Sequence, residues 1–272
     1  MMFFCINFFF FLHLTYGQQN GYNFFMPDIP ASSSLVSTSA SSVAAIPIVQ
    51  KTHSLTTSTF TKINLLGGPF NVKLCHNTNP TDNYKSVDIV AEESLHQLIS
   101  INIEQNAALT IRVTENINTS NKTNITIFII FKQLNELYID GMINVQCDNR
   151  IETNRLLVNH RGTGSMKLKL NVNALEADLY SIGHVKLCGQ VYGEAIIKSL
   201  GVGDVDGRNL LTKTIQVISS GIGNLYVMAI DEINITLSGI GTVYYAGPIK
   251  RQVKTGLGNI IAVPPVSFYD DE

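Results

Sequence analysis

The sequence predicts an all-β fold, a solenoid with coils of about twenty residues, and three observations carry that prediction. A short glycine phrase returns along the second half of the chain. Apolar residues alternate at period two almost everywhere else, with helix-period patterning nearly absent. Charged residues are sparse at 15 % and Trp is absent, while Val, Ile, Leu, Thr and Asn abound, a mix that suits stacked strands with polar turns.

The phrase reads Gly162-Thr163-Gly164-Ser165-Met166, then Ser181-Ile182-Gly183-His184-Val185, Gly201-Val202-Gly203-Asp204-Val205 and Gly221-Ile222-Gly223-Asn224-Leu225. It closes with Gly239-Ile240-Gly241-Thr242-Val243 and Gly256-Leu257-Gly258-Asn259-Ile260, and a weaker first copy, Gly141 to Val145, has Ile143 in the second glycine's place. The second-glycine positions are 143, 164, 183, 203, 223, 241 and 258, so the steps are 21, 19, 20, 20, 18 and 17. A unit of that period cannot bury its apolar face alone, and stacked neighbours bury it together.

Taken in order, residues 1–17 read as a secretory signal peptide, with Phe8 to Leu14 apolar and Thr15 and Gly17 small enough for the cleavage site. Phe8 to Leu14 is too short to span ~30 Å of hydrocarbon, and no later segment reads as a transmembrane helix. Residues 18–59 read as a flexible Ser/Thr-rich leader that buries too little apolar area to offset its ordering entropy. The domain spans 60–266. Within it, Lys62 to Leu74 is extended and punctuated by Gly67-Gly68-Pro69, Val87 to Ala91 follows, and Glu92 to Leu98 is the single plausible helical turn. Leu98 to Ile103 and Leu109 to Val113 form a pair joined at Asn106-Ala107-Ala108, and Asn124 to Phe131 and Leu137 to Ile139 lead into the repeats. Residues 267–272 form an acidic tail.

Within each coil, the residues eight, six and four before the second glycine form an inward ladder: Leu156, Val158, His160; Leu175, Ala177, Leu179; Ala195, Ile197, Ser199; Ile215, Val217, Ser219; Ile233, Ile235, Leu237. Two further apolar columns are expected to be buried. One lies between the glycines (Met142, Thr163, Ile182, Val202, Ile222, Ile240, Leu257), the other two residues past the second (Val145, Met166, Val185, Val205, Leu225, Val243, Ile260). The last coil carries Lys250, Gln252 and Lys254 at the inward positions, which reads as a polar cover for the end of the stack.

These residues resemble the head GIN domain family of auto-transporter adhesins over roughly Phe60 to Val266. The resemblance rests on Gly68-Pro69-Phe70-Asn71-Val72-Lys73-Leu74, on Val87 to Val113 with its Glu92-Glu93-Ser94-Leu95, and on the phrases at Ser220 to Leu225 and Ser238 to Val243. It implies a right-handed β-helix-like solenoid on a cell surface or outside the cell and, through the word adhesin, a surface-binding role, and it supplies no catalytic motif. The Ser/Thr leader and clustered sequons depart from the family's pattern.

Formal charge is −2, from 19 basic and 21 acidic residues, with no basic patch, which argues against nucleic acid as a partner. Four Asn-X-Ser/Thr sequons, at Asn118, Asn121, Asn124 and Asn234, fit an exported, extracellular glycoprotein. Beyond the signal peptide the chain keeps Cys75, Cys147 and Cys188, an odd number. Cys147 and Cys188 lie two coils, about 9.6 Å, apart, too far for the ~7 Å a disulfide tolerates, so all three read as small hydrophobes. No cofactor or metal site is expected; His160 and His184 fall in different columns, and inward His160 reads as a packed core histidine.

The polar column after the second glycine (Asn144, Ser165, His184, Asp204, Asn224, Thr242, Asn259) reads first as a hydrogen-bonding ladder for the turns and second as a linear binding edge for a glycan or surface ligand. Tyr226 and Tyr244 are expected one above the other on adjacent coils, holding a sugar face or pairing across strands. Together with Asp204 and Asn224 they are the candidate binding residues. Asp204, Asp206, Asp178 and Asp140 are the carboxylates a glycan-active enzyme would draw on, but no matching base or acid recurs beside them, so no catalytic residue is assigned. The reading is a secreted, non-enzymatic binding surface. A glycan-active enzyme, and a purely structural component that self-associates, are the alternatives.

Overall fold

The computed structural model describes residues 47–55, 59–113 and 125–265, within one compact unit, Ala45–Glu272. The signal peptide, the tail and the sequons at Asn118, Asn121 and Asn124 lie outside the described residues.

The fold is a β-solenoid of about six turns. Its first complete coil is β2 (Lys62–His76), which bends at Gly67-Gly68-Pro69 and so contributes to two faces. Lys62–Leu66 runs beside β5 (Ala108–Val113) on one side and the start of β7 (Glu136–Thr163) on the other. Asn71–His76 runs between β6 (Thr126–Phe131) and the middle of β7. From there the stack is parallel: β7, β8 (Met166–Leu179), β9 (Val185–Ser199), β10 (Val205–Ser219) and β11 (Leu225–Leu237) pair in succession. Beyond β11 the two faces separate into β12 (Thr242–Ala246) with β14 (Asn259–Ala262), and β13 (Ile249–Lys254).

The amino-terminal end is closed by antiparallel strands. β4 (Ile99–Ile103) pairs with β5, and β3 (Ser86–Glu92) pairs with β6. The turn before β5 holds Ala107 at φ 59, and the helical turn is α1 (Glu93–His96).

The leader boundary needs correction. Ile48–Ser54 is a strand, β1, paired antiparallel with β3 over its whole length. Most of its side chains are exposed, so it carries no alternating apolar signal. Backbone pairing holds it instead, helped by Leu55 N–H donating to Lys85 O (2.9 Å), an imidazole contact from His96 to Val49 O (3.0 Å) and a Lys51–Glu93 ion pair (2.7 Å).

Alternation decides what is inside. Every residue of the predicted inward ladder is buried except half-buried Ser199, and so are Met166, Leu168, Leu170 and Val172 on the opposite face of the coil. The column headed by Val145 is buried as far as Val243, with Ile260 half-buried. At the last coil Gln252 lies in register with Ile235 and Lys254 with Leu237, both exposed. A bulge pairs Ile249 rather than Lys250 with Ile233, and Lys250 reaches Glu232 at 2.7 Å. Cys147 is buried, which pushes its thiol up, while Cys75 and Cys188 are half-buried.

The column between the glycines contradicts its expected burial. Met142, Ile182, Val202, Ile222, Ile240 and Leu257 are all exposed, from 46 % at Val202 to 85 % at Leu257. The reason is the bend. With Gly203 at φ 135 and Gly223 at φ 143, the chain turns so tightly that the residue between the glycines stands on the convex side.

Candidate functional site

The predicted tyrosine pair exists, and a cation completes it. Parallel register sets Asp206 beside Tyr226, Tyr226 beside Tyr244, and Tyr244 beside Ile261. The two rings stack with centroids 4.5 Å apart at 8°. The Arg208 guanidinium lies 4.6 Å from the Tyr226 ring centre, within the range of a favourable cation–π contact. Because β10 and β12 flank β11 on opposite sides, Arg208 and Tyr244 cover opposite faces of Tyr226.

Arg208 is itself clamped. Its Nε and one terminal nitrogen donate to the two oxygens of Asp206 at 2.9 and 2.8 Å, and its backbone N–H donates to Oδ1 at 3.1 Å. The guanidinium hydrogen bonds hold the Asp206 carboxyl below the usual aspartate range, against the opposing effect of burial. The result is a rigid row, Asp206–Arg208–Tyr226–Tyr244, that presents ring edges, phenol hydroxyls and spare guanidinium N–H groups to solvent. The faces of Tyr226 are used up within the row, so sugar stacking on that ring is replaced by edge and hydroxyl contacts. Arg208 was not a sequence candidate. The i, i+2 spacing puts Arg208 on the same side as Asp206, but its reach to Tyr226 depends on the register irregularity that begins after Asp206, which spacing does not show.

The polar column is a ladder that caps backbone. Asn144 Oδ1 accepts from Ser165 N–H at 2.9 Å, Asp204 Oδ1 from Asn224 N–H at 2.7 Å, and Asn224 Oδ1 from Thr242 N–H at 3.1 Å. Each side chain satisfies the turn of the next coil, so Asp204 and Asn224 act first as scaffold. Asp204→Ala is expected to cost about 1 kcal/mol, because the Asn224 N–H loses its acceptor, and to lower the melting temperature by about 2–4 °C. An unchanged melting curve would remove the ladder's structural role.

Each of the four carboxylates considered for acid–base work has a partner of its own. Asp178 is ion-paired with Lys198 at 2.9 Å, Asp206 with Arg208, Asp204 caps a turn, and Asp140 accepts from Tyr138 Oη at 3.2 Å. His160 is fully buried and neither ring nitrogen has a partner. His184 is exposed in a separate column. Among the described residues no group of His, Cys, Asp or Glu is placed to hold a metal ion, and no helix is long and apolar enough to cross a membrane. Asn234, the one sequon asparagine among the described residues, lies half-buried on the outer side, with Nδ2 donating to Glu232 at 2.7 Å.

The fold has solved relatives. A structure named a "putative adhesin" from Bacteroides fragilis superposes with a TM-score of 0.72 at 23 % identity, covering 80 % of this chain and 98 % of its own. A "putative lipid binding protein" from Parabacteroides distasonis gives 0.57 at 17 % identity over 79 % and 96 % of the two chains. A "putative adhesin" from Parabacteroides merdae gives 0.51 at 17 % identity over 79 % and 96 %. At these identities the likeness is one of fold. No curated protein matches the chain. The family model described as "Putative auto-transporter adhesin, head GIN domain" matches residues 59–248, most of the described solenoid, and the chain belongs to that family.

Proposed function

We propose that this chain is a secreted, non-enzymatic binding protein of the adhesion type, and that it engages glycans or similar polyhydroxylated surface ligands through the Arg208–Tyr226–Tyr244 row. The observation that supports this reading is the row itself: a clamped guanidinium and two stacked tyrosines, half-exposed on successive coils of a rigid sheet. Such a platform loses little conformational entropy on binding. The family's adhesin description points the same way. The signal-like amino terminus and the sequons belong to the same proposal; a mobility shift of the exported protein on enzymatic deglycosylation is its expected signature.

A glycan array on the full chain tests the site. Tyr226→Ala, Tyr244→Ala and Arg208→Ala are each expected to weaken the strongest hit about tenfold, in keeping with the ~1–2 kcal/mol lost when a hydroxyl or guanidinium hydrogen bond and its neighbouring ring contact are removed. Binding unchanged in all three variants would discard the site. Turnover of a hit glycan that disappears with Asp204→Ala would replace the binding reading with a glycan-active enzyme.

A further inference from the structure

The exposed aliphatic column at the bends is the feature that neither the fold nor the tyrosine row accounts for. Parallel bridges join Thr163 to Ile182, Ile182 to Val202, Val202 to Ile222 and Ile222 to Ile240, and Leu257 N–H donates to Gly239 O at 3.1 Å on the preceding coil. Five aliphatic side chains from Ile182 to Leu257 therefore stand in one straight ridge, one per coil. Met142 lies beyond them, past Thr163. Their exposures are 56 % for Ile182, 46 % for Val202, 52 % for Ile222, 50 % for Ile240 and 85 % for Leu257.

Nothing in the solenoid requires large aliphatic residues there. The bend places them on the convex side, and a polar residue would serve the turn equally well, as Thr163 does. A contiguous apolar stripe on the order of 500 Å² is as large as the largest patch a typical monomer exposes and marks an interaction surface.

We infer that the ridge is where two copies of this chain associate, edge to edge and antiparallel. Its flanks choose this occupant over a lipid surface. Apolar edges that seat on membranes are flanked by Lys and Arg that meet anionic headgroups. In the two columns beside the ridge between Ile182 and Leu257, the one carboxylate is Asp204, the one basic residue is His184, and the rest are hydroxyl, amide or apolar; at the ridge's start the Arg161 guanidinium lies 5.3 Å over the Tyr180 ring, a single cation and not a basic band. Such flanks meet their own copy without like-charge opposition, and the net charge of −2 adds little long-range repulsion.

The register is specific. In an antiparallel pairing centred between Val202 and Ile222, Asp204 faces Asn224 of the second copy, and His184 faces Thr242 of the second copy. Asp204 Oδ1 and Asn224 Oδ1 are both engaged with backbone, which leaves Asp204 Oδ2 as acceptor opposite the Asn224 Nδ2 donors. In the same register Val202 meets Ile222 and Ile182 meets Ile240 of the second copy, while Leu257 meets Thr163, because both ridges share the one-coil spacing of ~4.8 Å. The total buried area, about 1,000 Å², is that of a weak, reversible interface, which gains weight where chains are crowded on a surface.

Sedimentation velocity on the full chain across a concentration series tests the inference. Wild type is expected to shift from monomer to dimer with a dissociation constant on the order of 100 µM. Ile182→Asp and Ile222→Asp, both at exposed positions that leave the core intact, are each expected to weaken association at least tenfold. Gln216→Asp, on the outer side of the other face, is expected to leave it unchanged. A wild-type chain that stays monomeric to millimolar concentration, or ridge variants that dimerise as wild type does, overturns the inference. Flotation with phosphatidylcholine vesicles, with or without phosphatidylserine, that is lost in Ile222→Asp, with no dimer in solution, also overturns it and reassigns the ridge to a lipid surface. Circular dichroism and melting curves equal to wild type establish that the variants are folded.

Discussion

Gly203→Ala is expected to destabilise the solenoid by about 3 kcal/mol or more and to lower its melting temperature by about 10 °C. A Cβ on Gly203 would lie 2.0 Å from Gly183 O and 2.8 Å from Gly183 C, and the residue sits at φ 135. Neither problem is relieved by a side-chain rotation, because the obstruction is the backbone of the previous coil. The same geometry recurs one coil on, where Gly223 at φ 143 would place a Cβ 2.1 Å from Gly203 O, so Gly223→Ala should cost as much. The two glycines are thus not interchangeable with the flexible glycines of a loop. They let successive bends approach at strand separation. Thermal and urea unfolding check the expectation, and a loss below about 1 kcal/mol in both variants would show that the bends can spread.

The second large effect concerns His160. It is fully buried on an inward column in register with Leu179, and neither ring nitrogen meets a partner. Burial alone lowers its pKa from 6.5 to about 4. The unfolded chain therefore binds a proton that the folded chain refuses between those values. Stability is fully present above pH 6.5 and falls as the pH drops towards 4, by a total of about 3 kcal/mol at 1.36 kcal/mol per unit. The paired carboxylates Glu176, Asp206 and Glu232, whose values are all lowered by their basic partners or hydrogen bonds, lose their contributions below the ordinary carboxylate range. The two effects thus occupy different windows. His160→Leu, which copies the residue one coil on, is expected to flatten the slope between pH 4 and 6.5. It should also raise stability at pH 7 by about 1–2 kcal/mol, since two unsatisfied polar atoms leave the core. Urea titrations at pH 4, 5, 6 and 7 measure both; an unchanged slope would mean that the imidazole is hydrated in the native state.

These predictions differ in how far they were legible in the linear chain. The coil period, the inward ladder and the position of His160 within it follow from counting back from each glycine, because a parallel stack repeats one local pattern at one interval. The ladder function of Asn144, Asp204 and Asn224 was equally readable, since side chains of that type beside a turn have few other roles. Tyr226 and Tyr244 were placed one above the other for the same reason.

Three features lay beyond that counting. β1 has no apolar alternation to reveal it, and only the free edge of β3 gives Ile48–Ser54 a place to pair. Arg208 reaches Tyr226 across a register irregularity between Asp206 and Leu211 that spacing does not predict. The column from Ile182 to Leu257 has the composition of a core and the exposure of a surface.

The sequence by itself determined the solenoid, its period and the family, because each coil's burial pattern is local and is repeated until it is unmistakable. Only the tertiary structure decided which side of each bend faces water. That choice depends on the sign of φ at the glycines and on how closely successive backbones approach, and neither quantity leaves a mark in the identity of the residue between them.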